Sequence, residues 1–75
     1  MTTVFNGKEY DDRHGGPFDR GSADSYYGRG IKPHYYTGNT GDSVAIDHSK
    51  MTEKEIAEYK AGYMHNQQYG DKKVW

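Results

Sequence analysis

Phe18-Asp19-Arg20-Gly21 followed by Tyr27-Gly28, and Tyr59-Lys60-Ala61-Gly62 followed by Tyr69-Gly70, are two copies of one pattern, one in each half of the chain. In each copy an aromatic residue precedes a glycine by three positions, roughly one helical turn, and a Tyr-Gly pair closes the segment. The pattern predicts two short helices, each with a glycine on its inner face and a glycine stop at its end. A glycine inside a helix costs up to about 1 kcal/mol against alanine. Incurring that cost twice in 75 residues points to a use. We expect the helices to cross closely with Gly21 near Gly62, aromatic rings filling the space on either side.

The flanking residues set the limits of each helix. Pro17 suits a first helical position, where its missing N–H is no loss, and Asp19 in the first turn meets the positive end of the helix dipole. Phe18, Ser22, Ser25 and Tyr26 share one face at helical spacing, and Gly28 and Gly30 supply the stop, so the first helix should span about 17–28. Thr52-Glu53-Lys54-Glu55 is a capping box, and Met51 and Ile56 stand where a hydrophobic staple would. The second helix should therefore run over about 53–68 and end near Gly70. Its expected inner stripe is Ile56, Tyr59 and Tyr63, with Lys60 and Met64 beside it.

Between the helices, residues 32–37 read as extended: Lys32 precedes a proline, and Tyr35 and Tyr36 favour a strand. Residues 38–43 are turn chemistry throughout. Residues 43–47 read as a second short strand with Val44 and Ile46 on one face, which makes a two-stranded ribbon. Asn6-Gly7 is a favoured hairpin turn, but its flanks are short and a polar run follows at 11–16. A flexible arm over 1–16 is the favoured reading, ahead of a small hairpin. The fold class expected is thus α+β, one small domain over 17–75 in which two helices pack together with a short ribbon between them. Trp75 should fold back onto the tyrosine layer.

Composition narrows the function. There is no cysteine, leucine is absent, 32% of the chain is hydrophobic, and eight Tyr accompany two Phe and one Trp. A core made from these residues is mostly aromatic, and its hydroxyls need partners. The net charge of −1 lacks the basic excess of a general nucleic-acid binder, so no DNA partner is expected. No apolar run approaches the ~20 residues that cross a membrane, and no signal peptide is visible. The expectation is a soluble protein of the cytoplasm with no membrane partner.

Catalytic signatures are weak. His14, His34, His48 and His65 stand at no recognised metal-ligand spacing. Ser22, Ser25, Ser43 and Ser49 lack elbow or triad context. The acidic pairs Asp11-Asp12 and Asp19/Asp24 do not make a calcium loop, and Gly28-Arg29-Gly30 follows a helix rather than the strand a phosphate loop needs. We therefore expect no enzyme, no metal and no cofactor. The informative stretch is 26–36, where four tyrosines interleave with Arg29, Lys32 and His34. Rings of this kind stack on bases or anchor protein interfaces, and the cations meet phosphates or carboxylates. The candidate partner-binding residues are Tyr26, Tyr27, Arg29, Lys32, His34, Tyr35 and Tyr36.

Residues 18–29 (Phe18-Asp19-Arg20-Gly21-Ser22-Ala23-Asp24-Ser25-Tyr26-Tyr27-Gly28-Arg29), Pro33-His34-Tyr35, and Glu55 with Glu58-Tyr59 and Ala61-Gly62-Tyr63 resemble small uncharacterised proteins of tailed bacteriophages that carry an F-D-R-G-S-A-D-x-Y-Y-G-R motif. The ending Gly70-Asp71-Lys72-Lys73-Val74-Trp75 is similar to theirs, so the resemblance covers about 17–75. A weaker similarity is to the ribosome modulation factor family, through Gly21-Ser22-Ala23, Gly28-Arg29, Pro33 with Tyr35, and Gly62-Tyr63. The first resemblance implies a non-catalytic phage-type binding protein acting in the host cytoplasm on a host macromolecule, with a host protein the leading partner. The second implies a translation modulator on the ribosome or its RNA. A self-associating structural module is the third reading, and the oligomeric state is left open.

Overall fold

The two glycine-bearing segments form the two helices, and they cross at their glycines. In the computed structural model, which describes residues 2–37 and 44–70, helix α1 is Pro17–Tyr26 and helix α2 is Glu53–Tyr69. A Cβ built on Gly21 would overlap the carbonyl oxygen of Tyr59 and lie 3.0 Å from the amide nitrogen of Tyr63. A Cβ on Gly62 would overlap the carbonyl oxygen of Phe18. The crossing is reciprocal: each glycine receives the backbone of the aromatic residue that opens the other copy of the pattern. Phe18 and Tyr59 are themselves buried, at 4% and 0% exposure, so the repeat encodes both the close approach and the rings around it.

Local signals explain the helix ends. Gly16 precedes α1 with Pro17 at its first position, and the Asp19 carboxylate accepts from the Gly15 amide at 2.9 Å. At the other end Gly28 adopts φ +72°. Its amide donates to the Ser25 carbonyl at 3.1 Å while the Arg29 amide donates to that of Asp24 at 2.8 Å. This paired pattern is a Schellman stop. It ends α1 at Tyr26, short of the expected 28, because the chain turns left-handed at Gly28. The capping box of α2 is formed, with Thr52 N–H donating to Glu55 Oε1 at 2.9 Å and Glu55 N–H to Thr52 Oγ1 at 3.2 Å. Met51 is buried in front of it and Ile56 is half-buried, as the staple requires.

The buried faces are not quite those expected. On α1 they are Phe18, Gly21, Asp24 and Ser25, whereas Ser22 is half-buried and Tyr26 exposed. On α2 the buried residues are Tyr59, Gly62 and Asn66, with Ile56 and Tyr63 at the edges. A glycine crossing draws in the turns immediately around it, and that shifts both stripes toward polar positions.

Residues 2–11, for which a flexible arm was favoured, form a hairpin instead. Strands β1 (Thr2–Phe5) and β2 (Lys8–Asp11) pair antiparallel with Thr3 opposite Tyr10 and Phe5 opposite Lys8. Asn6 and Gly7, at φ 52° and 75°, make the turn between them. The strands are too short to stand alone, and tertiary contacts hold them. Phe5 is 5% exposed and meets the His65 ring edge-on at 5.5 Å, and Tyr10 stacks on Phe18 at 5.4 Å.

The ribbon lies between the helices in sequence: β3 (His34–Tyr36) pairs antiparallel with β4 (Ala45–Asp47). Its other edge is tied to the loop after the hairpin, where the Tyr36 amide donates to the Gly15 carbonyl at 2.7 Å and Arg13 Nη2 donates to the Tyr36 carbonyl at 3.0 Å. Val44 precedes β4 and is exposed, so Ile46 alone of the expected pair is partly covered. A single 3-10 turn (His48–Lys50) leads into α2. The turn expected at 38–43 and the return of Trp75 lie outside the described residues.

Candidate functional site

The segment that leaves α1 is held from beneath by α2. Asp24, only 2% exposed, lies in the last turn of α1. One of its carboxylate oxygens accepts from Arg29 Nη1 at 3.0 Å, and the other accepts the hydroxyl proton of Tyr59 in a short hydrogen bond. The Tyr59 oxygen in turn accepts from the Lys32 amide at 3.1 Å. One turn further along α2, the Tyr63 hydroxyl donates to the Arg29 carbonyl at 2.5 Å. Residues 29–32 are thus pinned at both ends by tyrosines four positions apart. Burial, reinforced by the neighbouring Asp24 carboxylate, pushes the Tyr59 hydroxyl pKa well above its ordinary value, so Tyr59 stays a protonated donor.

His34 continues this network into the ribbon. Its Nδ1 lies 2.8 Å from the Lys32 carbonyl, and its Nε2 lies 3.3 Å from Arg20 Nε. A carbonyl only accepts and a guanidinium only donates, so these partners assign the proton to Nδ1 and leave Nε2 as acceptor. The His34 ring also packs on Tyr59 at 5.8 Å and edge-on to Tyr36 at 6.0 Å.

Outside the clamp lies an aromatic and cationic surface. Tyr26 and Tyr27 meet edge-to-face at 4.9 Å, each 38% exposed. The Arg29 guanidinium lies 4.9 Å above the Tyr27 ring. Ile31 is 52% exposed, and a groove of about 340 Å³ runs past it, lined by Asp24, Arg29, Gly30, Ile31, Lys32 and His34. A second groove of about 510 Å³ lies on the far side of Lys32, between Pro33, His34 and the residues Asp47, His48 and Ser49. Asp47 is occupied there, because the Ser49 hydroxyl donates to it at 2.6 Å and holds its pKa below the ordinary carboxylate value.

The structure divides the seven candidate residues into two groups. Tyr26, Tyr27, Arg29 and Lys32 are exposed and follow one another around the end of α1. His34, Tyr35 and Tyr36 are half-buried in β3 and engaged within the fold. The Glu55 carboxylate beside the Tyr35 hydroxyl raises the tyrosine pKa, and Arg20 lies 5.6 Å over the Tyr36 ring. Two participants, Asp24 and Ile31, are not among the seven candidates. A carboxylate five residues before an arginine, across a Tyr-Gly stop, is the signal that marks the first. The second carries no signal, since single exposed apolar residues are common.

Among the described residues, no group of three or more histidine or acidic side chains is placed to hold a metal ion. No helix there is long and apolar enough to cross a membrane. No family model, characterised protein or solved structure matches the chain.

Proposed function

We propose that this protein is a small non-catalytic binding domain that presents the turn after α1 to another protein, with Tyr26, Tyr27, Arg29, Ile31 and Lys32 as its contact surface. The observation that supports the reading is the clamp. Tyr59 and Tyr63 fix the backbone of 29–32 from inside while aromatic and aliphatic groups remain outside. A surface already ordered in the free protein loses little entropy on binding, and exposed tyrosine and arginine are the residues most often found to anchor protein interfaces. His34, Tyr35 and Tyr36 act beneath that surface as its support.

Charge favours a protein over RNA. Arg29 is balanced by Asp24, so among the described residues Arg29 and Lys32 together leave one uncompensated positive charge at this end of α1. That is too little for the phosphate neutralisation that dominates RNA affinity. The resemblance of residues 17–75 to phage proteins supports a host protein as the partner and the host cytoplasm as the place of encounter.

The test is a tagged capture from bacterial lysate using the wild type and a Tyr27→Ser, Ile31→Ser double variant, with and without ribonuclease. A protein retained after ribonuclease and at high salt, and lost with the variant, supports the reading. Co-migration with ribosomal subunits that ribonuclease abolishes overturns it in favour of a translation modulator. A dimer in sedimentation that the variant dissolves makes a second copy of the chain the occupant.

A further inference from the structure

The groove beside Ile31 identifies the kind of segment that this surface takes. Resting on the protein-binding reading above, we infer that the partner docks a short acidic peptide, placing one large apolar side chain against Ile31 and a carboxylate at Lys32. The groove, at about 340 Å³, is within the range of pockets that enclose small ligands. Its floor is the Asp24 carboxylate, whose side chain is 3% exposed with its charge already met by Arg29 and Tyr59. The floor therefore offers no unpaired acid to repel an incoming one. Ile31 forms the apolar wall. A Cβ on Gly30 would meet nothing within 4 Å, so the bare backbone there leaves room for a peptide chain to approach.

The rim selects charge. Arg29 has a 54% exposed side chain but is committed to Asp24 and the Tyr27 ring, which leaves Lys32 as the surplus cation. His34, the remaining titratable lining residue, has both ring nitrogens engaged. Asp47, in the neighbouring groove, stays a carboxylate that accepts from Ser49 and has Lys50 as a charge neighbour. Among the groove's own lining residues two cations, Arg29 and Lys32, stand against one carboxylate, Asp24, so the lining is locally positive on a chain whose net charge is −1. One surplus cation beside one apolar wall matches a single carboxylate next to an apolar anchor. It does not match a run of phosphates, whose binding needs several cations.

The experiment selects a displayed library of random dodecapeptides on the full chain, then measures the best binder by fluorescence anisotropy. The proteins compared are wild type, Lys32→Glu and Ile31→Ser. Enriched sequences should pair Asp or Glu with Leu, Ile or Phe. Lys32→Glu should weaken binding by about tenfold, the loss of a charge-assisted contact, and an acid-to-lysine change in the peptide should restore it. Replacing the peptide's acid by its amide on the wild-type protein gives the same information without relying on the variant to fold. Neutral or basic peptides that still need Ile31 would overturn the acidic-peptide inference and leave the protein-binding reading standing. Displacement of the peptide by oligouridylate, with steep salt dependence, would overturn both. Enrichment of no peptide that depends on Ile31 or Lys32 would overturn this inference alone, since the lysate capture judges the other separately.

Discussion

Tyr59 and Tyr63 on α2 and Tyr26 and Tyr27 at the end of α1 are the same side chain in opposite employment. The α2 pair sits four residues apart on a helix drawn against another by glycine, so both side chains reach the segment that leaves α1. Both hydroxyls also find fixed acceptors, the Asp24 carboxylate and the Arg29 carbonyl. The α1 pair is consecutive, so the two rings leave the helix about 100° apart at a turn where it ends, and they meet each other edge-to-face, each 38% exposed. Tyrosine becomes structural where spacing and a close backbone bring an acceptor to its hydroxyl, and becomes surface where the helix stops beneath it.

The strongest way to break the comparison is at the crossing. A valine at Gly62 would drive its Cβ into the Phe18 carbonyl, part the helices and release Tyr59 from Asp24. Backbone overlap with no flexible neighbour belongs to the severe end of substitution effects, about 3 kcal/mol or more, which in so small a domain is most of the folding free energy. Gly62→Val should show little cooperative melting by circular dichroism. Gly30→Ala has open space around it and should stay within about 0.5 kcal/mol of wild type. A cooperative, near-native melt for Gly62→Val would mean that the helices do not cross there.

Tyr59→Phe removes one hydroxyl and keeps the ring. Asp24 then loses a donor in a buried position and the Lys32 amide loses its acceptor, so the expected loss is about 1–3 kcal/mol. Alkaline pH should have a related effect. Because the Tyr59 pKa is raised in the fold above its ordinary value of 10.0, its contribution is complete below that pH and is lost as pH rises further. The stability gap between wild type and Tyr59→Phe should therefore narrow above pH ~10. A gap independent of alkaline pH would count against the Asp24 hydrogen bond.

Much of this contrast was legible in the sequence, for identifiable reasons. The duplicated aromatic-glycine spacing, the Pro17 start, the Gly28 stop and the Thr52–Glu55 box are local signals, and local signals locate helices well. The hairpin was not legible because its stability comes from Phe5 and Tyr10 reaching His65 and Phe18, contacts made across the fold. The burial of Asp24 is hidden in the same way, because Tyr59 lies 35 residues away, although its pairing with Arg29 five residues on is a local signal. At the candidate surface, residue types point to 26–36 as a block, but the docking of β3 half-buries all of its second half, with His34 against Tyr59, Tyr35 beside Glu55 and Tyr36 under Arg20. No composition rule separates Tyr27 from Tyr35.

A smaller effect is expected at the start of α2. Thr52→Ala removes one half of the capping box and should cost about 1 kcal/mol. The Thr52 amide, with help from the Tyr35 hydroxyl, holds the Glu55 pKa below its ordinary value. A depressed carboxylate pKa contributes stability above the unfolded value that disappears as pH falls through the folded one. Glu55→Gln should therefore lie closer to wild type in acid than at neutral pH, by thermal melts at both. Equal gaps would mean that the Glu55 charge plays no part.

The smallest effect on stability should come from the α1 pair, and that is what would make it informative. Tyr26→Ser and Tyr27→Ser remove rings that are 38% exposed and meet edge-to-face, so each should lower the melting temperature by only a few degrees. The loss should be less than additive in the double variant, because after the first ring is gone the second has lost its edge-to-face neighbour. Tyr27 should cost slightly more than Tyr26, since its ring also carries the Arg29 guanidinium, and with it one side of the cover over Asp24. If either substitution unfolded the domain as Tyr59 variants are expected to weaken it, the end of α1 would be part of the core, and the surface proposed for a partner would have to be sought elsewhere. Melts near wild type combined with abolished capture would separate binding from folding at two adjacent residues.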